Sequence, residues 1–394
     1  MSIMKDKQVE KLIKQEKARQ KKVINLIASE NYVSSDVLKA LGSEFVNKYA
    51  EGYPAKRYYG GNEIADKIED LCKQRALKLF NLSPNPPAGG WSVNVQPLSG
   101  SPANLAVYMA LVPIGAKIMG MTLAHGGHLT HGHKVSATGK LWKQVSYGVD
   151  KKTELLDYGE LKKIVKKEKP NLIVAGFTAY PRKINWKKFR EIADASGAIL
   201  MVDMSHIAGL IAGGVYPSPF GYADVVTTTV HKTLRGPRSA LIFSREEFSS
   251  KIDKAVFPGL QGGPHLNQIA AVAVALKEAS EASFKNYAKQ VIKNAQALAD
   301  ELARLGWRVV SGGTDSHLLL VDTWMDGEGI GGSEASDRLE KEGIIVNKNT
   351  IPFDERKPMD PSGIRLGTAA ETTRGKKEKD FIKIAQKIDK ILKS

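Results

Sequence analysis

The chain has 394 residues, 42% of them hydrophobic, and its 58 Lys and Arg outnumber its 42 Asp and Glu to give a formal net charge of +16. This length and composition exclude a disordered protein and predict a large core divided among two or three domains. No apolar signal core follows the charged amino terminus, and no apolar run is long enough to span a membrane, so we expect a cytoplasmic protein. The single cysteine, Cys72, excludes an intramolecular disulfide framework and a zinc site built from several thiolates.

The positive charge favours anionic partners in general, but its distribution does not favour nucleic acid. Much of the excess lies in residues 162–169 and in two terminal helices, where lysine alternates with apolar residues at helical spacing. The aromatic residues that proteins use to stack on bases are not interleaved with these lysines. The pattern therefore favours solvated helix faces.

The first predicted element is a charged helix that ends near Val23. It is followed by "VINLIASENYVSSDVLKALGSEFVNKYAEGYPAKRYYGGNE", a long segment rich in tyrosine, glycine and small polar residues. Irregular segments of this length are often functional.

Short β-rich runs alternate with helical patterns from about Trp91 onward. Strands that are buried on both faces read as continuous apolar runs, so the pattern predicts an α/β fold with a mostly parallel sheet covered by helices. A long helical region from about Asn267 to Leu305 follows, and the remaining runs predict a smaller α+β domain with a lysine-rich final helix. The predicted strands are "WSVNVQP", "AKIMGM", "NLIVAG", "AILMVDM", "DVVTTTV" and "ALIFS" in the first domain, and "WRVVSG", "HLLLVDTW", "GIIVNKN" and "GIRLGTA" in the second.

Chemically useful residues follow three of these strands. In open α/β sheets ligands bind at the carboxyl ends of strands. The run "NVQPLSGSPANLAVY" leads a strand into residues 99–101 and then into a helix, which offers hydroxyls and N–H groups to a phosphate. A second strand ends on Asp203, with His206 just beyond it, and the next ends on His231 and Lys232.

A phosphate cradle, a strand-end carboxylate and a strand-end lysine, in this order, suit pyridoxal phosphate. The lysine would form the Schiff base, and the carboxylate would keep the pyridine nitrogen protonated so that the ring accepts carbanion density. Asp203 or Lys232 alone is equally compatible with a helix cap or a surface charge. The ordered set is what favours the cofactor.

The run "HGGHLTHGH" contains four of the eight histidines. Imidazole is a common metal ligand. No acidic or thiolate partner is patterned with these histidines, however, and the glycines suggest a loop pressed against a flat ligand. We therefore predict no metal site and an imidazole stacked on the pyridine ring.

Motifs along nearly the whole chain, from about Asn25 to Gly375, resemble those of the serine hydroxymethyltransferase family. In the family's order they are "NLIASENYVS", "NKYAEGYPAKRYYGG", "NVQPLSGSPAN", "LAHGGHLTHG", "VDMSHIAGLIAGG", "DVVTTTVHKTLRGPR", "FPGLQGGPH", "NKNTIPFD" and "SGIRLGTAAETTRG".

The resemblance implies a fold-type-I pyridoxal phosphate enzyme that works as at least a homodimer. Such an enzyme transfers the serine hydroxymethyl carbon reversibly to tetrahydrofolate, or to a related pterin, and leaves glycine. The expected division is an N-terminal helix and arm at the dimer interface in residues 1–60, a large cofactor-binding domain in residues 61–275 and a small C-terminal domain in residues 276–394.

The resemblance also assigns roles to single residues. Lys232 is the expected Schiff-base lysine, Asp203 the partner of the pyridine nitrogen, His206 a contact to the cofactor's phenolic side and His128 the ring-stacking residue. Further expected cofactor contacts are Ser99, Gly100, Ser101, Thr178 and His231, with Gly262 and Gly263 contributed by a neighbouring subunit. The expected substrate contacts are Ser29, Arg365 and, from the partner subunit, Tyr49, Glu51 and Tyr59. The expected folate contacts are Leu123, Gly127, Leu129 and Asn349.

Two of these residues carry specific chemical expectations. Arg365 would grip the substrate carboxylate, a role suited to its bidentate fork. Glu51 is the best candidate for acid–base work at the hydroxyl or at the folate, since proton transfer needs a positioned carboxyl group. The alternative for Glu51 is a structural salt bridge. The expected catalytic residues are Lys232, Glu51, His128, Asp203 and Tyr59.

The chain departs from the family's usual pattern at several positions. Thr178 keeps the hydroxyl of the serine that is common there, whereas Val230 removes one. Ser239 and Ala240 replace a pair of glycines and would crowd the turn if it needs a positive φ. The other departures are Ala55 in place of a glycine and Asn267 in place of a histidine.

Two other functions compete with this reading. An aldolase of the same fold would cleave 3-hydroxy amino acids without a folate; Asn349 and the "HGGHL" loop argue against it, and dependence on folate would decide. An RNA-binding protein on a dead enzyme scaffold would show a salt-dependent RNA shift without cofactor colour. The intact Asp203, Lys232 and Arg365 argue against that.

Overall fold

The computed structural model describes residues 4–83 and 90–394. Its helices are α1 (Lys7–Lys22), α2 (Ser35–Leu41), α3 (Glu63–Leu79), α4 (Gly100–Leu111), α5 (Ala137–Leu141), α6 (Tyr158–Glu168), α7 (Trp186–Asp194), α8 (Ala208–Ala212), α9 (Glu246–Lys254), α10 (Leu266–Ala279), α11 (Ala282–Arg304), α12 (Gly332–Lys341), α13 (Ala369–Thr373) and α14 (Glu378–Lys393). Its strands are β1 (Ile24–Asn25), β2 (Gly52–Tyr53), β3 (Lys56–Arg57), β4 (Trp91–Asn94), β5 (Lys117–Met121), β6 (Lys143–Tyr147), β7 (Leu172–Gly176), β8 (Ile199–Asp203), β9 (Val225–Thr229), β10 (Ala240–Arg245), β11 (Arg308–Val309), β12 (Leu318–Asp322), β13 (Ile344–Ile345), β14 (Asn347–Asn349) and β15 (Gly363–Gly367).

The central sheet has seven strands in the order β4, β10, β9, β8, β7, β5, β6. The pairs from β9 through β8, β7 and β5 to β6 are parallel, and β10 and β4 pair antiparallel at one edge. The predicted, mostly parallel sheet is therefore confirmed. Strand β6 was not predicted, because its burial alternates and its sequence "KQVSY" contains no continuous apolar run.

Parallel pairing places the two chemically important strand ends side by side. In the register of β8 and β9, Asp203 lies opposite Thr227, and the backbone N–H of Met204 donates to the Thr227 carbonyl over 2.9 Å. Lys232 follows the end of β9 by three residues. Asp203 and Lys232 therefore reach the same edge of the sheet.

The C-terminal part contains a four-stranded antiparallel sheet in the order β11, β12, β15, β14. The N-terminal strand β1 pairs in parallel with β13, so the beginning of the chain is tied to the C-terminal part. The long helical region predicted over 267–305 is two helices, α10 and α11, separated at Ser280 and Glu281.

Four hydrophobic clusters are buried in the described residues, and the two largest divide along the chain. The largest packs on one face of the central sheet and extends along the chain to Val291, while a smaller cluster that includes Leu172 and Met201 packs on the other face. The second largest packs around the C-terminal sheet, and on α11 its first member is Leu298. The change from the largest cluster to the second largest therefore falls within α11. Cys72 is buried in the largest cluster, and burial raises the pKa of its thiol. No helix in the described ranges has the length and apolar character that a membrane span requires.

The structure resolves two of the departures noted in the sequence. Neither Ser239 nor Ala240 has a positive φ, so the condition under which they would crowd the turn is not met. The Ser239 hydroxyl donates to the Pro97 carbonyl over 3.2 Å, and Ala240 begins β10. Ala55, by contrast, has a φ of 61°, a left-handed conformation that strains any residue with a Cβ.

We expect Phe381→Ala to destabilise the C-terminal cluster by about 3–5 kcal/mol, because a fully buried ring on α14 would leave a cavity. Trp307 lies in the same cluster, so its fluorescence during urea unfolding reports the change. Met359→Ala is the control, since Met359 is 77% exposed. An unchanged unfolding curve for Phe381→Ala would contradict this account of the cluster.

Candidate active site

A cavity of about 290 Å³ opens at the carboxyl ends of β8 and β9. Many of the residues predicted for cofactor and substrate binding line it together. They are Ser29, Ser99, Gly100, Ser101, His128, Thr178, Asp203, His206, His231 and Lys232.

Residues 99–101 form a cradle at the start of α4. Ser99 precedes the helix in an extended conformation, and its side chain makes no capping hydrogen bond to the helix. A Cβ added at Gly100 would lie 2.7 Å from Cγ2 of Thr229, so only glycine lets this backbone approach β9 so closely. Free hydroxyls beside the N–H groups of a helix terminus suit a phosphate.

Asp203 is an ionised carboxylate inside the cavity. Its Oδ2 accepts from Nδ2 of Asn104 at 2.9 Å and contacts Nε2 of His131 at 3.1 Å, while its Oδ1 accepts from the backbone N–H of Ser205. Burial raises the pKa of Asp203, but the hydrogen bond and electrostatic interaction with His131 and the charge of Lys232 outweigh it and hold the pKa well below its usual range. Such a carboxylate can keep a pyridine nitrogen protonated.

Lys232 carries an amine that is easily deprotonated. Its Nζ donates to Oγ1 of Thr229 over 3.1 Å. Burial lowers the pKa of Lys232 to about 8; the Asp203 carboxylate opposes the shift, and the charges of Arg365 and Arg238 reinforce it. A substantial neutral fraction near neutral pH is what a nucleophilic lysine requires.

Burial keeps His128 and His206, which line the cavity, and the neighbouring His317 neutral. Burial lowers the pKa of His128 to about 4, and its Nδ1 accepts from the backbone N–H of Thr130 over 3.2 Å. The Nδ1 of His206 lies 3.2 Å from Nε2 of His317, and burial lowers the pKa of both. Within residues 4–83 and 90–394, no three His, Cys, Asp or Glu side chains gather in a way that could hold a metal.

Arg365 lies on β15 and is buried, with only 6% of its surface exposed. Its Nη1 donates to the Thr178 carbonyl and its Nη2 to Oδ1 of Asn347, each over 2.8 Å. Among the described residues it forms no ion pair with a carboxylate. Burial lowers the pKa of Arg365 to about 10, which still leaves it charged at neutral pH. A buried cation held only by neutral groups is ready to receive an anion.

A second group of predicted residues gathers outside this cavity. The Tyr59 hydroxyl donates to Oε2 of Glu51 over 2.9 Å, and the Tyr49 hydroxyl lies 3.4 Å from Oε1. Tyr49 and Tyr59 are 59% and 49% exposed. A Cβ added at Gly262 would lie 3.3 Å from Oε1 of Glu51, and one at Gly263 3.5 Å from the Tyr49 ring. These five residues thus form one exposed cluster, which we call the tyrosine–glutamate cluster.

Six polar residues that line the cavity were not identified from the sequence, namely Glu30, Asn104, His131, Ser205, Thr229 and Arg238. Asn104 connects Asp203 to Thr227, whose hydroxyl donates to the amide oxygen over 2.8 Å, and His131 contacts the same carboxylate. The only signal for Asn104 was a polar residue within the apolar helical run "PANLAVYMAL". Buried polar residues usually serve a hydrogen-bond network, but the partner is not readable from the run itself.

Comparison with known proteins decides the family. A family model described as serine hydroxymethyltransferase matches residues 3–388. The chain belongs to the serine hydroxymethyltransferase family. This confirms the fold-type-I assignment, and it confirms pyridoxal phosphate as cofactor and tetrahydrofolate as the one-carbon acceptor in a serine–glycine interconverting enzyme.

Curated serine hydroxymethyltransferases are similar to this chain over nearly its full length. The enzyme of Desulfotalea psychrophila is 53% identical over 387 residues, which cover 98% of this chain and 88% of that protein. The enzyme of Koribacter versatilis is 55% identical over 376 residues, covering 95% and 86%. The enzyme of Acidobacterium capsulatum is 54% identical over 381 residues, covering 97% and 87%.

The four residues expected at the folate site of a serine hydroxymethyltransferase do not line the described cavity. A Cβ added at Gly127 would lie 2.0 Å from the Met121 carbonyl oxygen, so only glycine fits there. Leu129 is 42% exposed, Leu123 is half-buried, and the amide of Asn349 donates to the Thr350 carbonyl over 2.6 Å. Their role in folate binding stays a prediction.

We expect the protein without cofactor to lose stability as the pH falls from about 6.5 towards 4. Burial lowers the pKa of His317 to about 3, whereas an unfolded histidine titrates near 6.5. The unfolded chain therefore binds more protons than the folded protein across this window, so the free energy of unfolding decreases as the pH decreases. Urea unfolding at a series of pH values measures the slope.

The control for this prediction is a matched pair of histidine variants. His317→Gln should reduce the slope by about 1.4 kcal/mol per pH unit, while His265→Gln should leave it unchanged because His265 is exposed. If both variants keep the wild-type slope, His317 is not held neutral in the folded protein.

Proposed function

We propose that the serine–glycine reaction takes place in the cavity around Lys232, Asp203 and Arg365. The observation that carries the proposal is the convergence of an ionised buried carboxylate, a lysine whose pKa is about 8 and a buried arginine that has no carboxylate partner among the described residues. When bound, pyridoxal phosphate supplies an electron sink for the negative charge that develops at the substrate Cα.

The cavity offers a contact for each part of the cofactor. Residues 99–101 would hold the phosphate, and Asp203 would hold the proton on the pyridine nitrogen, with Asn104 and His131 fixing the orientation of its carboxylate. His128, neutral and anchored through Nδ1, would pack on the ring. His206, Thr178 and His231 complete the expected cofactor contacts.

The charged groups of Arg365 and Lys232 would each act on a different part of the substrate. Arg365 does not itself line the described cavity but donates to the carbonyl of Thr178, which does, and from there its guanidinium would bind the substrate carboxylate. Ser29, which lines the cavity, would assist it. With its pKa near 8, the Lys232 amine can accept and return a proton at neutral pH. Lys232 thus serves both as the attachment point and as a proton carrier.

We further propose that the tyrosine–glutamate cluster acts in the cavity of a second copy of this chain. Its residues lie outside the cavity of their own chain, and Tyr49 and Tyr59 are exposed. Glu51 would then transfer the proton at the serine hydroxyl or the folate, with Tyr49 and Tyr59 orienting its carboxyl group. This arrangement requires at least a homodimer.

Three further expectations belong to the same proposal. Leu123, Gly127, Leu129 and Asn349 would contact the pterin, the enzyme would work in the cytoplasm, and the chain would divide into a dimer-forming arm in residues 1–60, a cofactor domain in residues 61–275 and a small domain in residues 276–394. The separation of the two largest hydrophobic clusters supports a large and a small domain.

The test is the visible absorption spectrum of the purified protein alone, with glycine, and with glycine plus tetrahydrofolate. We expect a yellow protein that gains an intense long-wavelength band only when both ligands are present. A colourless protein that cannot be reconstituted with pyridoxal phosphate would overturn the proposal. A yellow protein indifferent to folate would instead indicate an aldolase of the same fold.

A further inference from the structure

Arg57 is a buried arginine close to the tyrosine–glutamate cluster, and no step described so far uses it. It lies on β3, and only 3% of its side chain is exposed. Its Nη2 donates to Oε2 of Glu69 over 2.7 Å and its Nε to Oδ1 of Asp66 over 2.8 Å. A guanidinium is seldom buried so completely without a specific set of acceptors.

The Nη1 group of Arg57 forms hydrogen bonds to the backbone on both sides of Glu51. The Nη1 group donates to the carbonyl oxygen of Ala50 over 3.0 Å and to that of Gly52 over 2.8 Å. Just after β3, the backbone N–H of Tyr58 donates to the carbonyl of Glu51 itself over 3.1 Å. The carbonyl groups of Ala50, Glu51 and Gly52 are thus all fixed by hydrogen bonds, two from the Arg57 guanidinium and one from the Tyr58 backbone.

The residues that hold Arg57 and the neighbouring backbone are themselves fixed by several contacts. Glu69 on α3 is fully buried, and Gln96 donates both to its carboxylate over 3.1 Å and to the Gly52 carbonyl over 3.0 Å. Gly52 has a φ of 97°, and an added Cβ there would lie 2.3 Å from the Lys56 carbonyl oxygen. Asp66 additionally accepts from the backbone N–H of Ala55 over 2.9 Å. The loop therefore has one well-determined conformation at Glu51.

We propose that Arg57 is a positioning residue for the reaction: by holding the Ala50 and Gly52 carbonyls against the buried Glu69, it aims the Glu51 carboxyl into the partner subunit's cavity. The inference rests on the proposed role of Glu51 in a shared site. Glu51 immediately precedes β2, and in the part of the chain that the structure describes its carboxyl group contacts only Tyr49 and Tyr59 by hydrogen bonds.

Arg57→Gln should therefore lower kcat while leaving substrate binding largely intact. A displacement of about 1 Å at a proton-transferring group costs on the order of 10²-fold in rate, so we expect kcat to fall roughly 10–100-fold. The KM for serine should change less than about 3-fold, because Arg365 binds the carboxylate independently. Arg57→Lys, with one point charge instead of a fork, should recover only part of the loss.

A second variant distinguishes a positioning role of Arg57 from a simple loss of folding stability. Without Arg57, the buried Glu69 carboxylate would keep Lys73 at 3.0 Å as its only cation among the described residues. The double substitution Arg57→Met with Glu69→Met removes that carboxylate but does not restore the hydrogen bonds to the two carbonyls. Continued low kcat in a folded double variant supports positioning. Recovery of wild-type kcat would overturn it.

Heterodimers then test whether the effect crosses the subunit boundary. A Lys232→Ala chain and an Arg57→Gln chain are co-expressed with different affinity tags, and the mixed dimer is purified. Its only site with a lysine receives the intact loop of the Lys232→Ala chain, so about half of the wild-type activity per dimer should return. A Glu51→Gln chain paired with the Lys232→Ala chain is the matched control.

The two possible failures are distinguishable. If the Glu51→Gln pair recovers activity and the Arg57→Gln pair does not, the shared site stands and the role of Arg57 is overturned. If neither pair recovers, Glu51 does not act in the partner's cavity, and both the shared site and the inference built on it are overturned.

Discussion

Lys232→Ala should reduce kcat by about 10²–10⁴-fold, the range expected when a positioned proton-transfer group is removed. The Lys232 amine lies in the cavity, hydrogen-bonds to Thr229 and has a pKa of about 8. Alanine can neither attach the cofactor covalently nor carry a proton. The measurement is steady-state formation of glycine from serine with saturating folate, together with the absorption spectrum of the cofactor.

Lys232→Arg distinguishes the positive charge of Lys232 from its action as a nucleophile and proton carrier. Arginine keeps a positive charge near Asp203, but its guanidinium stays protonated and cannot act as a nucleophile. It should therefore be as inactive as the alanine variant, whereas Lys166→Ala on the exposed surface of α6 should keep full activity. If Lys232→Arg retains more than about a tenth of the wild-type rate, Lys232 contributes mainly charge, and the assigned role is wrong.

The ends of β8 and β9 show what the sequence could predict. Both strands are short, largely buried and parallel, so their carboxyl ends had to meet at one edge, and the chemistry of Asp203 and Lys232 followed from that. The cradle at residues 99–101 was predictable for the same reason, because a short connection leads from β4 into α4. These inferences depend on local periodicity and on one topological rule.

The supporting contacts were not predictable in this way. Asn104, His131 and the Thr178 carbonyl reach their partners from segments far apart in the chain, and no local pattern encodes the pairing. Strand β6 was missed because an edge strand need not carry a continuous apolar run. The grip of Arg57 on the loop around Glu51 likewise appears only once β2, β3 and α3 are placed together.

Arg365→Ala should raise the KM for serine by about 10²–10³-fold, since breaking a buried charge pair costs about 2–5 kcal/mol. The guanidinium is held by Asn347 and the Thr178 carbonyl, which are neutral, so its charge is available to a bound carboxylate. The KM for tetrahydrofolate should change little. Steady-state kinetics with each substrate varied in turn measures both constants.

Arg365→Lys tests whether geometry or charge is required. A lysine keeps the charge but offers a point donor instead of the planar fork, so the KM for serine should still rise by about 10-fold or more. Arg338→Lys, at a surface ion pair with Glu334 on α12, is the control and should leave both KM values unchanged.

A ligand without a carboxylate gives the decisive comparison. Ethanolamine is serine without its carboxyl group, and binding of either compound can be followed through the absorbance of the cofactor. The wild-type enzyme should prefer serine strongly, and Arg365→Ala should reduce that preference by roughly the same 10²–10³-fold factor, because only serine loses an interaction. If the variant weakens both ligands equally, Arg365 shapes the cavity without binding the carboxylate, and its proposed role is wrong.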